Sequence, residues 1–444
     1  MADRYDLLLR GGTVATPAGL ASIDIGVRDG RIAALGDLSR AEAAETQDCT
    51  GLHVLPGVID SQVHFREPGG EHKEDLETGT AGAAAGGVTA IFEMPNTSPL
   101  TTSAEALQDK LDRAAGRAWV DHAFFVGGTA ANAHRLAELE RLPGSAGVKI
   151  FMGSSTGDLL SEDDGTIARV MANGVRRVSV HAEDEMRLRE RKTMVESGAP
   201  ARMHPEWRDV ETAVRATKRI LSLSAAARRR VHVLHVTTGE EMTILAGHKD
   251  LATVEATPQH LTFAGPDCYD RLGSRAQMNP PIRDAAQRDT LWRAIASGVV
   301  DVLGSDHAPH TLEEKAKPYP ESPSGMTGVQ TLVPVMLDHV AAGRLTLERL
   351  VDLTSAGPAR IFGIAGKGRI VVGYDADFTI VDLKARRTIT DSWIRSRSAW
   401  TPYDGVEVTG WPIATIVRGM AVMREDELLE GPRGAPVRFQ ECLP

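Results

Sequence analysis

Four side chains of the kinds that bind metal ions recur at comparable places in separate apolar segments. His64 lies at the end of VIDSQVHF, His181 ends RRVSVH, His235 ends RRVHVLH, and Asp306 follows VVDVLGS. One histidine in an apolar run is usually a packed core residue, but four such coincidences in separate segments are rare. Imidazole nitrogens with a carboxylate favour zinc over manganese or iron, and the absence of cysteine among them is typical of a catalytic site with open coordination positions.

A lysine lies in a further apolar segment, where a charged amine is unexpected. Lys149 is part of GVKIFMG, and an ammonium buried beside metal ions would be repelled and costly to desolvate. Reaction of its amine with carbon dioxide gives a carbamate, whose two oxygens can bridge two metal ions about 3.5–4 Å apart. The alternative is a lysine whose ammonium reaches a nearby acid.

Polar residues alternate along the first of these segments. In VIDSQVHFREPGG, every second residue from Asp60 to Arg66 is polar, so these side chains are expected on one face of a strand. A guanidinium there can bind a carboxylate bidentately, which selects an acidic substrate; a surface ion pair is the alternative for Arg66. By the same alternation, His232 is expected on the face opposite His235, against the helical layer.

Repeated βα units are predicted to position these residues. Short apolar strands alternate with helical segments through the middle of the chain, which indicates a parallel sheet. The eight predicted strands are GVIDSQVHF, VTAIFEMPN, AWVDHAFFVGG, AGVKIFMG, RRVSVHAE, RRVHVLHVTT, ATVEATPQHL and VVDVLGSDHA. Eight units match a closed (β/α)₈ TIM-type barrel, in which chemistry gathers at the C-terminal strand ends. An open doubly wound sheet is disfavoured because no glycine-rich turn follows the first strand.

The two ends of the chain have a different pattern from its middle. Both consist of short strands broken by glycine, such as YDLLLRGGTVATPAG and GRIVVGYDADFTIVD. We therefore predict an α/β protein with two domains: a small discontinuous β-sandwich built from residues 1–55 and 365–444, and the barrel from residues 56–364.

Composition argues against several kinds of partner. The formal net charge of -10 and the pI near 5.8 argue against nucleic acid, whose binders usually present a basic face. No stretch reaches ~18 uninterrupted apolar residues, and MADRYDLLLRGG lacks the apolar core of a signal peptide, so no membrane association is predicted. Three widely spaced cysteines follow no disulfide or metal-ligand spacing, which favours a reducing compartment, the cytoplasm.

The order of the motifs resembles that of the dihydroorotases of the amidohydrolase superfamily. The motifs are VIDSQVHFREPG, EMPNTSPLTT, GVKIFMGSSTG, HAEDE, HVTTGE, MNPPIR and GSDHAPH, of which NPPIR and DHAPH are the most specific. The resemblance extends over essentially the whole chain. It implies a barrel beside a small β-sandwich, one or two zinc ions, a carboxylated lysine, and reversible hydrolysis of the acidic cyclic amide dihydroorotate to carbamoyl-aspartate in pyrimidine synthesis.

The resemblance assigns two neighbouring metal sites to matching positions. The first would be held by the carboxylated Lys149, His181 and His235. The second would share the bridging carbamate and be held by Gln62, His64 and Asp306. Asp306 would also act as the general base, taking a proton from the attacking hydroxide and returning it to the departing ring nitrogen.

Four further positions match the substrate-binding residues of that family. Arg66, Asn96 and His310 would bind the substrate carboxylate, and Asn279 would lie beside the ring. For Asn96 the alternative is a turn residue, and for His310 a cap on a local turn.

Gln62 departs from the family pattern, which has histidine there. A neutral amide oxygen is a weaker zinc donor than imidazole, and since even outer-shell changes cost ~10–100-fold in metal affinity, the first metal is predicted to be secure and the second doubtful. The chain would then be an active dihydroorotase, a related cyclic amidase of the hydantoinase or allantoinase type, or a non-catalytic dihydroorotase-like scaffold. The carboxylate clamp weakens the second interpretation, and retention of the other ligands weakens the third. A homodimer and a pyrimidine-pathway enzyme as partner remain open.

Overall fold

The computed structural model describes residues 4–154, 159–196, 198–429 and 431–442, and its strands fall into three groups along the chain. The N-terminal group is β1 (Arg4–Arg10), β2 (Thr13–Thr16), β3 (Gly19–Ser22), β4 (Asp24–Arg28), β5 (Arg31–Gly36), β6 (Glu42–Asp48) and β7 (His53–Pro56). The middle group is β8 (Val58–Val63), β9 (Val88–Glu93), β10 (Asp121–Gly127), β11 (Ser145–Phe151), β12 (Val178–His181), β13 (Val231–Val233), β14 (Ala252–Ala256) and β15 (Val302–Leu303). The C-terminal group is β16 (Phe378–Thr388), β17 (Glu407–Val417), β18 (Met420–Arg424) and β19 (Glu427–Leu428).

The middle group forms a parallel barrel. Strands β8 to β15 pair in chain order, and the ring closes where Val63 bridges His307 and the His64 N–H donates to the His307 carbonyl at 2.7 Å. Every residue of β9, β10 and β11 is buried, as expected of parallel strands covered on both faces. Each of the eight predicted segments contains one strand, so the predicted barrel fold is confirmed.

Helices surround the barrel and fill the connections between its strands. They are α1 (Leu76–Ala85), α2 (Ala104–Ala114), α3 (Leu136–Leu139), α4 (Asp164–Ala172), α5 (Glu185–Arg191), α6 (His204–Trp207), α7 (Val210–Ala227), α8 (Gly239–Ala246), α9 (Pro258–Thr262), α10 (Asp267–Leu272), α11 (Ala285–Ala296), α12 (Leu312–Lys315), α13 (Leu332–Ala341), α14 (Leu347–Val351) and α15 (Gly357–Phe362). Several begin at an Asp, Ser or Thr whose side chain accepts an otherwise unpaired backbone N–H of the first turn. Within the described part of the chain, no helix is long and apolar enough to cross a membrane.

Strands from the two chain ends pair with each other in a separate β-sheet region. One sheet has the order β5-β4-β1-β6, and the other has the order β19-β18-β17-β16-β7-β2-β3. Leu7 and Ile25 from the N-terminal strands share a buried cluster with Phe378 and Ile416 from the C-terminal strands. The domain boundaries stay a prediction, and residues 1–3, 430, 443 and 444 within them lie outside the described part of the chain.

Aromatic side chains fill one end of the barrel. Phe92 and Phe125 meet edge to face at 6.3 Å between ring centroids, and both contact Phe362 from α15. Phe439, from the C-terminal segment, also contacts Phe92. Because this end is closed by apolar packing, the polar residues at the C-terminal strand ends lie at the opposite rim.

The predicted orientation of His232 is wrong. In the sheet register His232 lies beside Ser179, which lies beside Lys149, and its ring contacts Phe362 at 5.5 Å inside the barrel. Alternation from His235 fails because β13 ends at Val233 and His235 adopts a left-handed φ of 37° beyond the strand. Face assignment by alternation holds only within a strand.

Candidate metal centre

Two histidines bring ring nitrogens together at the barrel rim. His181 is the last residue of β12, and its Nδ1 lies 3.1 Å from Nε2 of His235, which follows β13. Both side chains are buried, and burial lowers the pKa of each below its usual value, which keeps the rings neutral. With Zn–N bonds of about 2.0–2.1 Å, two ligands of a tetrahedral ion lie about 3.4 Å apart. The pair therefore fits one edge of a zinc coordination sphere.

Glu183 fixes which nitrogen of His181 is available. The His181 Nε2–H donates to Glu183 Oε2 at 2.9 Å, which leaves the lone pair of Nδ1 facing His235. Arg208 donates to both oxygens of Glu183, at 3.1 and 2.5 Å. Although burial opposes it, the Arg208 charge, with the His181 hydrogen bond, holds the pKa of Glu183 well below its usual range. Such partners behind a metal ligand set its tautomer and basicity.

Lys149 is a fully buried amine. Within the described residues its Nζ has no hydrogen-bond partner, so the alternative of an ammonium bonded to a nearby acid is not what the structure shows. Burial lowers its pKa to about 7, so a large fraction of the amine is unprotonated at neutral pH. Only an unprotonated amine can attack carbon dioxide. Its positive charge contributes to the lowered pKa of His64, His181 and His235, and in the sheet register it lies on β11 beside β12, the strand that ends at His181.

The opposite part of the rim is organised around Asp306. Gln62 Nε2 donates to Asp306 Oδ1 at 3.0 Å, and His64 Nε2 lies 3.3 Å from the same oxygen. The Nδ1–H of His64 donates to Asn96 Oδ1 at 2.8 Å, which turns the Nε2 lone pair towards Asp306. His64 Nε2 and the Asp306 carboxylate could therefore bind the same metal ion. However, the carboxylate already accepts a hydrogen bond from the Gln62 amide.

The rim thus has two halves, each with two candidate metal ligands and one residue that could supply a third. The lysine half consists of Lys149, His181 and His235, and the glutamine half consists of Gln62, His64 and Asp306. Among the described residues, no three His, Cys, Asp or Glu side chains are grouped so that they could hold a metal ion by themselves. Each half needs a third donor, which is a carboxylated Lys149 in one half and Gln62 Oε1 in the other. Both Lys149 Nζ and Gln62 Oε1 are buried without a hydrogen-bond partner in the described structure, so the residues fit the ion.

The positively charged side chain of Arg66 lies in a cavity beside the rim, where a substrate could be bound. Arg66 lines a cavity of about 340 Å³ together with Asn96 and the backbone of Gly69 and Gly70. Its Nε donates to the Pro309 carbonyl at 3.2 Å. Burial lowers its pKa to about 10, so the guanidinium stays charged at neutral pH. The structure therefore brings Arg66 and Asn96 into one pocket, as their predicted role requires.

His310 is brought to Arg66 as well, but Asn279 is held by another partner. His310 Nε2 lies 3.3 Å from Arg66 Nη2, and its Nδ1 lies 3.2 Å from the Lys73 amine. Asn279 Oδ1 lies 3.0 Å from Nε2 of His204. Contact of Asn279 with a substrate ring stays a prediction.

Three of the rim residues have a strained backbone conformation. Arg66, His235 and Asp306 have positive φ angles of 66°, 37° and 45°, a region that costs energy for residues other than glycine. Each follows the end of its barrel strand, where the chain turns sharply to aim the side chain. Strain of this kind persists at functional sites because the surrounding structure holds it.

Asp60 holds two barrel strands together, which is a structural role and not one in the candidate metal centre. Its Oδ1 accepts the Ser305 N–H at 2.9 Å and the Gln62 N–H at 3.2 Å, and so it joins the first barrel strand to the last. The register of β8 is irregular after Asp60, which breaks the regular alternation expected from the sequence.

Sequence reasoning missed the residues that lie behind the candidate ligands. Glu183 stands two residues after His181 in HAEDE, and an acid at that spacing is the sequence signal for a hydrogen-bond partner of the histidine. Arg208 and His204 carry no such signal, because they reach the rim from the segment around α6.

A family model described as "Amidohydrolase family" matches residues 53–422. This match, over a chain whose (β/α)₈ barrel has polar residues at its C-terminal rim, defines a hydrolase of the amidohydrolase class. The chain belongs to the amidohydrolase family, in the branch that hydrolyses cyclic amides.

Similar proteins carry three different functional names. A dihydroorotase of Halobacterium salinarum is 38% identical over 84% of this chain and 87% of its own length. An allantoinase of Deinococcus radiodurans is 36% identical over 98% of both chains. The structure of the L-hydantoinase (dihydropyrimidinase) of Arthrobacter aurescens aligns with a TM-score of 0.92 at 32% identity, covering 98% of this chain and 99% of that one. These comparisons establish the reaction class and leave the substrate to be argued from the site.

Proposed function

We propose that this protein is a zinc-dependent dihydroorotase, which interconverts dihydroorotate and N-carbamoyl-aspartate in the cytoplasm as a step of pyrimidine synthesis. The observation that carries the proposal is the buried Arg66, charged at neutral pH and lining one cavity with Asn96. Dihydroorotate has a ring carboxylate that a guanidinium can bind bidentately. Simple hydantoins have no such group.

The donor sets support one firmly held ion. Lys149, as a carbamate, would join His181 and His235 in holding zinc, and Gln62, His64 and Asp306 would contribute a weaker second position. A divalent ion held there supplies hydroxide at neutral pH and polarises the ring carbonyl.

Asp306 is the proposed proton carrier. Its side chain is buried at the rim, with His64 beside it. The hydrogen bond from Gln62 orients the carboxylate, so that the other oxygen can take a proton from the nucleophile. Returning that proton to the ring nitrogen as the C–N bond breaks completes the general acid–base role.

Ring opening of allantoin or a hydantoin is the second candidate, favoured by two observations. The allantoinase relative aligns over nearly the full length of both chains, as does the L-hydantoinase structure. Gln62 also departs from the dihydroorotase pattern. A non-catalytic dihydroorotase-like scaffold is the third candidate, but it gives no reason for a lysine whose buried amine has no hydrogen-bond partner among the described residues and only the Phe151 ring beside it.

A substrate panel separates these candidates. Purified protein supplied with zinc and bicarbonate is incubated with dihydroorotate, allantoin and an unsubstituted hydantoin, and ring opening is followed for each. The proposal predicts turnover of dihydroorotate at the highest kcat/KM. Preference for allantoin or hydantoin would establish the second candidate, and no turnover with metal bound would establish the scaffold.

A further inference from the structure

A cavity at the end of the barrel opposite the rim is lined by arginines. It has a volume of about 220 Å³. Arg176 and Arg177, at the entry to β12, line it with Arg230, which immediately precedes β13, and Arg360 from α15. Glu441 is the acidic residue in its lining. Four guanidinium groups therefore face one carboxylate.

Two of these arginines are already engaged within the protein. Arg176 donates to the carbonyls of Glu140 and Ser145, at 2.5 and 2.8 Å, and Arg360 pairs with Asp352 at 3.2 Å. These contacts fix the wall of the cavity. The positive charges of the other two arginines, Arg177 and Arg230, are not neutralised by these contacts.

Arg177 and Arg230 are not paired with acids. Within the described ranges neither has an ion-pair partner, and Arg177 Nε is buried without an acceptor. Arg177 Nη1 donates to the Val231 carbonyl at 3.2 Å. A buried guanidinium donor without an acceptor is costly, and two like charges beside one cavity add to that cost. A bound anion would offset both.

We propose that this cavity binds a small phosphorylated anion. A phosphoryl group carries up to two negative charges at neutral pH and three acceptor oxygens, which is more charge per unit volume than a carboxylate. Arginine forks match the geometry of such oxyanions. The volume is below the ~300–1,000 Å³ of sites for drug-sized ligands, so the ligand is a small metabolite or free phosphate.

The test is calorimetric titration of the zinc-loaded protein with inorganic phosphate, with acetate at the same ionic strength as the second arm. Arg230→Gln removes an exposed side chain of the cavity, and Arg228→Gln removes the same charge from an exposed position two residues away that does not line it. Phosphate should bind about tenfold more weakly to Arg230→Gln, since one charge-assisted hydrogen bond is lost. Arg228→Gln should bind it like the parent, and Arg177→Gln should repeat the Arg230→Gln loss.

Three results would overturn the proposal. They are the absence of phosphate binding by the parent protein, equal weakening by Arg228→Gln and Arg230→Gln, and acetate affinity equal to that for phosphate. A Lys149→Ala protein, which should lose its metal, is expected to keep phosphate binding. Loss there would place phosphate at the rim, and it is a fourth result that would overturn the proposal. The site does not depend on the proposed ring-opening reaction, so either inference can fail alone.

Discussion

The lysine half and the glutamine half of the rim present their donors in different ways. In the lysine half a hydrogen bond from behind fixes the ligand, because Glu183 accepts from His181 and turns its free nitrogen inwards. In the glutamine half Asn96 fixes His64 in the same way, but a second hydrogen bond lies between two members of the ligand set, since Gln62 donates directly to Asp306. The lysine half is therefore arranged to receive a metal ion. In the glutamine half, part of the negative charge of Asp306 is already compensated by the Gln62 amide.

Under the proposed metal assignment, this difference means that similar strand positions do not make equivalent metal sites. An outer partner such as Glu183 strengthens a ligand, whereas an amide donating to Asp306 competes with the ion for the carboxylate. We therefore expect the two halves to respond differently when each is changed.

The largest effect is expected for Lys149→Ala. Removal of the amine leaves the lysine half with two nitrogens and no anionic ligand, so bound zinc is lost and kcat/KM falls by about 10³-fold or more. Lys110→Ala is the matched control, because Lys110 is equally buried but pairs with Glu93 at 2.8 Å. That variant should lose stability but keep its zinc. Zinc retained in Lys149→Ala would disprove the carbamate.

Asp306→Asn should separate the two halves. The amide cannot accept the proton of the nucleophile, so kcat is expected to fall by about 10²–10⁴-fold. Metal analysis should still find one zinc ion, because the lysine half does not use Asp306. Complete loss of zinc would mean that the halves are not independent.

Arg66→Gln should affect the substrate and leave both halves intact. Loss of a bidentate charged contact is expected to raise KM for dihydroorotate about 100-fold, with the zinc content unchanged. Any residual hydantoin turnover is an internal control, since that ring lacks a carboxylate and should not respond. An equal loss for both substrates would remove Arg66 from carboxylate binding.

Glu183→Gln should weaken the lysine half without removing a ligand. Zinc affinity, measured by competition with a chelator, is expected to fall about 10- to 100-fold. Glu74→Gln is the matched control, because Glu74 is a buried acid beside His307 at 3.3 Å that is not a rim ligand partner. Equal zinc affinity in Glu183→Gln and Glu74→Gln would show that Glu183 does not support the metal ligand His181.

Much of the fold was readable because parallel strands buried on both faces give short, almost wholly apolar runs. The eight segments, and the recurrence of His64, His181 and His235 at their ends, were visible from those runs. Two features of the backbone could not be predicted from those runs. The break in the alternation of β8 after Asp60, and the end of β13 before His235, depend on backbone geometry that local sequence does not encode.

The unequal support of the two halves was only partly predictable. Gln62 was visible as a weaker donor, but its hydrogen bond to Asp306 joins residues 244 positions apart. Arg208 reaches Glu183 from a separate segment. Contacts of this kind follow from the packing of loops above the barrel, and single-sequence patterns report faces and strand ends only.

The most direct test is the number of zinc ions bound per chain by the parent protein and by Gln62→His, at the same buffered free zinc concentration. The account predicts one ion in the parent and two in Gln62→His, because an imidazole at position 62 replaces a competing amide with a donor. Two ions in the parent, or one in both proteins, would contradict the proposed asymmetry of the rim.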